Sequence, residues 1–104
     1  VRHKRMPEAV KALAQSATLR PDNPHYSYVY AVALHTIGRS HEAIKVLKKA
    51  HARHPNDREV LFALVVFNRD MGNRDVAGQY AEKLVALSPQ DPAARGLLNQ
   101  LKQQ

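Results

Sequence analysis

The chain has 104 residues, 44% of them apolar and 24% charged, with no cysteine. That composition is globular rather than disordered, and the lack of cysteine excludes disulfides, thiolate metal sites and thiol catalysis within these residues; no apolar run approaches the roughly 20 residues that cross a bilayer. The net charge of +7 sits in the first half, where residues 1–58 carry 11 Lys/Arg and 4 Asp/Glu while 59–104 carry 5 of each.

The first residues, Val1-Arg2-His3-Lys4-Arg5, are basic and no apolar signal core follows them. The chain opens without a Met, and we read it as a segment of a longer, soluble protein, with the cytoplasm favoured over the periplasm. Residues 7–21 predict a helix whose face of Val10, Leu13 and Ala17 should meet a helix upstream. Asn23-Pro24 supplies an N-cap followed by a proline in the first turn, where a missing N–H is not needed. Tyr26, Tyr30, Ala33, Leu34 and Ile37 then recur at helical spacing, and Gly38 can close the helix in a left-handed conformation. Ser40 is positioned to cap the next helix, with Ala43, Ile44, Leu47 and Ala50 on its apolar face and Pro55 as its stop. Asp57 caps a helix expected to reach Met71 before Gly72, Asn73 caps one over 74–87, and Asp91-Pro92 opens the last, with Ala94, Leu97, Leu98 and Leu101 on one side.

These elements repeat. Pro21, Pro55 and Pro89 are spaced by 34 residues, as are Ala9, Ala43 and Ala77, and Gly38 and Gly72. Tyr30, Leu64 and Leu98 keep the same register, as do Leu13, Leu47 and Ala81. A period shared by several residue classes marks a repeat architecture in which stacked units bury a common core.

The 34-residue unit resembles the tetratricopeptide repeat (TPR). In residues 24–57, Tyr30-Ala31, Leu34, Gly38, Ala43, Leu47, Ala50 and Pro55 stand where that family places its signature residues. In 58–91 the series is Leu64-Val65, Asn68, Gly72, Ala77, Ala81, Leu84 and Pro89. Ser27 and Leu61 replace the frequent first-helix tryptophan, Asn68 replaces a large apolar residue, and Val65 and Asn99 are bulkier than the preferred small residue. The resemblance implies an all-α, right-handed superhelix of antiparallel helix pairs. Residues 1–104 would form one domain, with 7–21 the second helix of a partial repeat, 24–57 and 58–91 complete repeats, and 92–104 a capping helix with a polar outer side of Asn99, Gln100, Lys102 and Gln103.

The resemblance also implies a protein-binding scaffold, not an enzyme, with no cofactor. Its ligand, an extended peptide or a partner helix, would lie on the concave face of the first helices. By register that face holds His25, Tyr28, Val32, His35 and Thr36, then Glu59, Phe62, Val66, Arg69 and Asp70, with Ala93, Gly96 and Gln100 extending it. The site residues singled out are Tyr28, Val32, His35, Phe62, Val66 and Arg69, an apolar centre with a polar rim, as in interface cores. Some family members clamp the acidic tail of a heat-shock chaperone with lysine, arginine and asparagine; Tyr28, Val32 and Ala63 stand at those places here, which argues for a more apolar ligand.

Two alternatives remain on the sequence. One is self-association through exposed repeat edges, above all the uncapped N-terminal edge. The other is binding of nucleic acid or an anionic surface by Lys45, Lys48, Lys49 and Arg53 with Arg2, Lys4, Arg5 and Lys11; no aromatic is interleaved with them to stack a base, which disfavours nucleic acid. His51 and His54 lie three apart with His41 earlier, but no carboxylate cluster completes a metal site. No HExxH, phosphate loop or GxSxG elbow occurs.

Overall fold

The computed structural model describes residues 6–103. Six helices follow one another: α1 (Met6–Leu19), α2 (Pro24–Thr36), α3 (Ser40–Arg53), α4 (Arg58–Asp70), α5 (Arg74–Leu87) and α6 (Pro92–Lys102). No strand occurs among the described residues. Each helix packs on its chain neighbours, and the backbones of α2 and α4 also approach, with no comparable approach between α1 and α3 or α3 and α5. α2 and α4 therefore form a closer inner layer, α1, α3 and α5 a splayed outer one, and α6 packs chiefly on α5.

The local chemistry repeats with the register. Three turns carry proline second, Arg20–Asn23, His54–Asp57 and Ser88–Asp91, and each is closed by a backbone hydrogen bond of 3.0–3.1 Å from its last residue to its first. Proline at that position has its backbone torsion pre-set. The last residue of each turn then caps the following helix: Asn23 accepts from His25 N–H, Asp57 from Val60 N–H and Asp91 from Ala93 N–H.

The other turns are built on glycine. Gly38 and Gly72 have φ of 85° and 84°. Arg39 N–H donates to Leu34 C=O at 2.8 Å and Gly38 N–H to His35 C=O at 3.1 Å. The same pair recurs from Asn73 to Asn68 and from Gly72 to Arg69. This two-bond closure needs a left-handed residue at the glycine.

Small residues set the helix spacing. Ala31, Ala43, Ala77 and Ala81 are wholly buried, and Leu34, Leu47, Leu61 and Leu64 interleave with them. Asn68 is buried as well, but satisfied: its Nδ2 donates to Leu64 C=O at 2.8 Å and its Oδ1 accepts from Asn73 Nδ2. A polar residue is tolerated there because it ties the end of α4 to the start of α5.

Three sequence expectations change. Ser40 is the first residue of α3 and does not cap it; the cap position is Arg39, which makes no side-chain cap bond, and the Ser40 hydroxyl is engaged by His35. Asn73 holds the cap position of α5, but its amide turns back to Asn68 instead of capping. Val10 does not look upstream: it is buried in the cluster with Ala31 and Leu34. The register explains why. Ala9 is equivalent to buried Ala43 and Ala77, which pack on the helix before them; no helix precedes α1 among the described residues, and Ala9 is exposed.

Candidate functional site

The inner layer brings the sequence-selected residues to one side of the molecule. His25 Nδ1–H donates to Glu59 Oε1 at 2.8 Å, joining the starts of α2 and α4. Because a carboxylate only accepts, this bond fixes the proton on Nδ1. At the other ends of the helices, His35 Nε2 lies 3.8 Å from Asp70 Oδ2, Arg69 pairs with Asp70 at 3.2 Å, and Arg69 Nη1 donates to Gln100 Oε1 of α6 at 3.4 Å. Polar links thus close both ends of the face.

Between them lie the apolar residues, and they divide into two kinds. Tyr28 and Val66 are half-buried and lean on the core. Val32 and Phe62 remain 36% and 41% exposed. On α6 the register place of Tyr28 and Phe62 belongs to Gly96, where a Cβ would meet open space. The exposed apolar strip is therefore narrower than the sequence suggests, and it is open toward α6.

His35 is less free than a rim residue. Its ring stacks on Phe67, centroids 4.2 Å apart and planes 13° from parallel, and its Nδ1 is bonded to Ser40 Oγ at 2.8 Å. Phe67 and Ser40 were not among the residues selected from sequence: Phe67 belongs to the core face and Ser40 reads as a cap. Ala63 is buried, so it does not reach this face. The contrast with the chaperone-tail clamp therefore rests on Tyr28 and Val32.

The outer layer is electrostatically different. Lys45, Lys48, Lys49 and Arg53 are exposed along α3, and none has an ion-pair partner among the described residues. Arg2, Lys4 and Arg5 lie outside the described residues. The α3 histidines do not converge: His54 Nε2–H donates to Pro21 C=O at 3.1 Å, while His51 meets the Tyr80 ring edge-on at 5.6 Å. Burial, with help from the charge of Lys83, pushes the His51 pKa below its ordinary value of 6.5. No group of three or more metal-ligating side chains forms among the described residues. Nor, among those residues, is any helix long and apolar enough to cross a membrane.

Paired helices with a 34-residue register, layered into an inner and an outer face, define a helical-repeat scaffold. A family profile for the tetratricopeptide repeat matches residues 1–61 and again 38–101, and the chain belongs to that family. Among curated proteins none matches it. Solved structures resemble it closely in fold. The Sgt2 TPR domain from Aspergillus fumigatus has a TM-score of 0.82 at 21% identity, over 97% of this chain and 68% of that one. The first TPR of Spaghetti (RPAP3), bound to the HSP90 peptide SRMEEVD, has 0.83 at 17% identity, over 98% and 81%. PcrH, in complex with the chaperone binding region of PopD, has 0.73 at 16% identity, over 98% and 77%.

Proposed function

We propose that this chain is a protein-interaction scaffold whose inner face captures a peptide or helix of another protein. The observation that carries this reading is the pair Val32 and Phe62. Two large apolar side chains stand exposed on the inner layer, framed by the His25–Glu59 link at one end and the His35, Asp70, Arg69 and Gln100 group at the other. Exposed apolar anchors inside a polar rim are the arrangement from which binding hot spots are built. The similar folds of Spaghetti and PcrH, each solved with a peptide or a region of another protein, support a scaffold role. The ligand favoured here has an apolar residue at its centre.

Selection of peptides from a displayed library against the chain tests this. Selected peptides should share an apolar anchor, and Phe62→Ala should weaken them at least tenfold, the size of a hot-spot loss. Lys48→Gln, on the outer layer, should leave them unchanged. Equal binding by the Phe62→Ala variant would defeat the reading.

A second reading is self-association along α1, where Leu19 is 78% exposed. Sedimentation should then show a concentration-dependent dimer that Leu19→Lys removes; a monomer at all concentrations counts against it.

A further inference from the structure

The 34-residue register allows each outer groove to be compared with the next, and the two are not filled alike. Over α4, between α3 and α5, the space is closed: Leu61 is wholly buried, Leu84 is 2% exposed, and His51 packs edge-on against Tyr80. Over α2, between α1 and α3, the equivalent places of Leu61, Leu84, His51 and Tyr80 hold Ser27, Ala50, Ala17 and Val46. Every one of the four is smaller. The result is a groove of about 370 Å³ with Tyr30 also on its wall, within the usual size range of small-molecule sites.

The rim of this groove is cationic. Lys49 and Arg53 both border it, and no Asp or Glu lines it. Neither cation has an ion-pair partner among the described residues. Arg39 and Arg58, by contrast, are paired with Glu42 and Asp91. An apolar trough with two unpaired cations at its mouth complements a small molecule with a hydrocarbon body and one negative head.

The geometry points to a binding site for a medium-chain or aryl monocarboxylate in the groove between α1, α2 and α3. The hydrocarbon lies over Ala17, Val46 and Ala50, and the carboxylate meets Lys49 and Arg53. Ser27 is the residue that keeps the floor open. The groove opens between the outer helices α1 and α3, and neither Val32 nor Phe62 lines it, so it stands or falls independently of the peptide-binding face.

Octanoate, with the neutral alcohol 1-octanol as its partner probe, tests the site by amide chemical-shift titration of the whole chain. Octanoate should move the amides of residues 17–18, 27–30 and 46–53 in a saturable way. Lys49→Gln with Arg53→Gln should weaken octanoate about three- to tenfold, as expected for two solvent-exposed cations, and leave 1-octanol unchanged. Ser27→Leu, which copies Leu61, should abolish binding while keeping the helical spectrum and not lowering Tm. Ala50→Leu, which copies Leu84, closes the groove from the other side and should do the same. Undiminished octanoate binding in the two filled variants would overturn the assignment. So would 1-octanol binding as tightly as octanoate, or octanoate shifts centred on Leu19 or Phe62.

Discussion

Ala43→Leu is the sharpest probe of how this molecule is held together. Ala43 is wholly buried where α3 meets α2, in one cluster with Ala31, Leu34 and Leu47. Leucine adds three carbons. Were there room, their burial would stabilise the fold by about 0.8 kcal/mol each. The contact has no such room, because Ala31, Leu34 and Leu47 of the same cluster are also fully enclosed. The added carbons must push α2 away from α3, and overpacking of this kind costs about 1–3 kcal/mol. For a domain of this size each kcal/mol lowers Tm by about 4–8 °C, so a fall of about 4–24 °C is expected in a thermal melt followed by circular dichroism. Ala52→Leu, on the exposed side of the same helix, is the control and should stay within about 0.5 kcal/mol of the parent. An Ala43→Leu variant that melts like the parent would show that small residues do not set the α2–α3 distance, and the assigned register would fail with it.

Three further outcomes are expected. Gly72→Ala forces a side chain into φ of 84° and should cost about 1–2 kcal/mol in urea denaturation, although a Cβ there meets nothing; a neutral result would mean that the turn relaxes freely. Asp57→Ala removes the 2.9 Å bond to Val60 N–H and should cost about 1 kcal/mol, whereas Asp57→Asn, whose amide oxygen can still accept from that N–H, should cost less; the reverse order would contradict the cap assignment. His51→Phe should remove part of the acid sensitivity. Burial lowers the folded-state pKa of His51, so the unfolded chain binds its proton first and stability falls as pH drops below 6.5 toward that lower value. His51 Nδ1 is also buried without a hydrogen-bond partner, so the ring has little to lose. The urea midpoint of His51→Phe relative to the parent should be higher at acid pH than at neutral pH, and an equal difference at both would refute the assignment.

The sequence determined the repeat. Prolines, alanines and glycines 34 residues apart encode local events, a pre-set turn, a close helix contact and a left-handed closure, and each depends on residues near in the chain. Asn23, Asp57 and Asp91 were legible as caps for the same reason. Ser40 and Asn73 were misread because their side chains had competing partners, His35 and Asn68, which only folding brings within reach. The candidate face was legible as a set of positions, but not its depth. Tyr28 and Val66 sink into the core while Val32 and Phe62 stay out, since packing between layers, not spacing along a helix, decides how far a side chain is covered. The outer groove lay further still from view. Ser27 reads as a mere departure from a family pattern until α1 and α3 are set on either side of it. A void is a property of what surrounds a residue, and that is fixed only when helices distant in sequence are brought together.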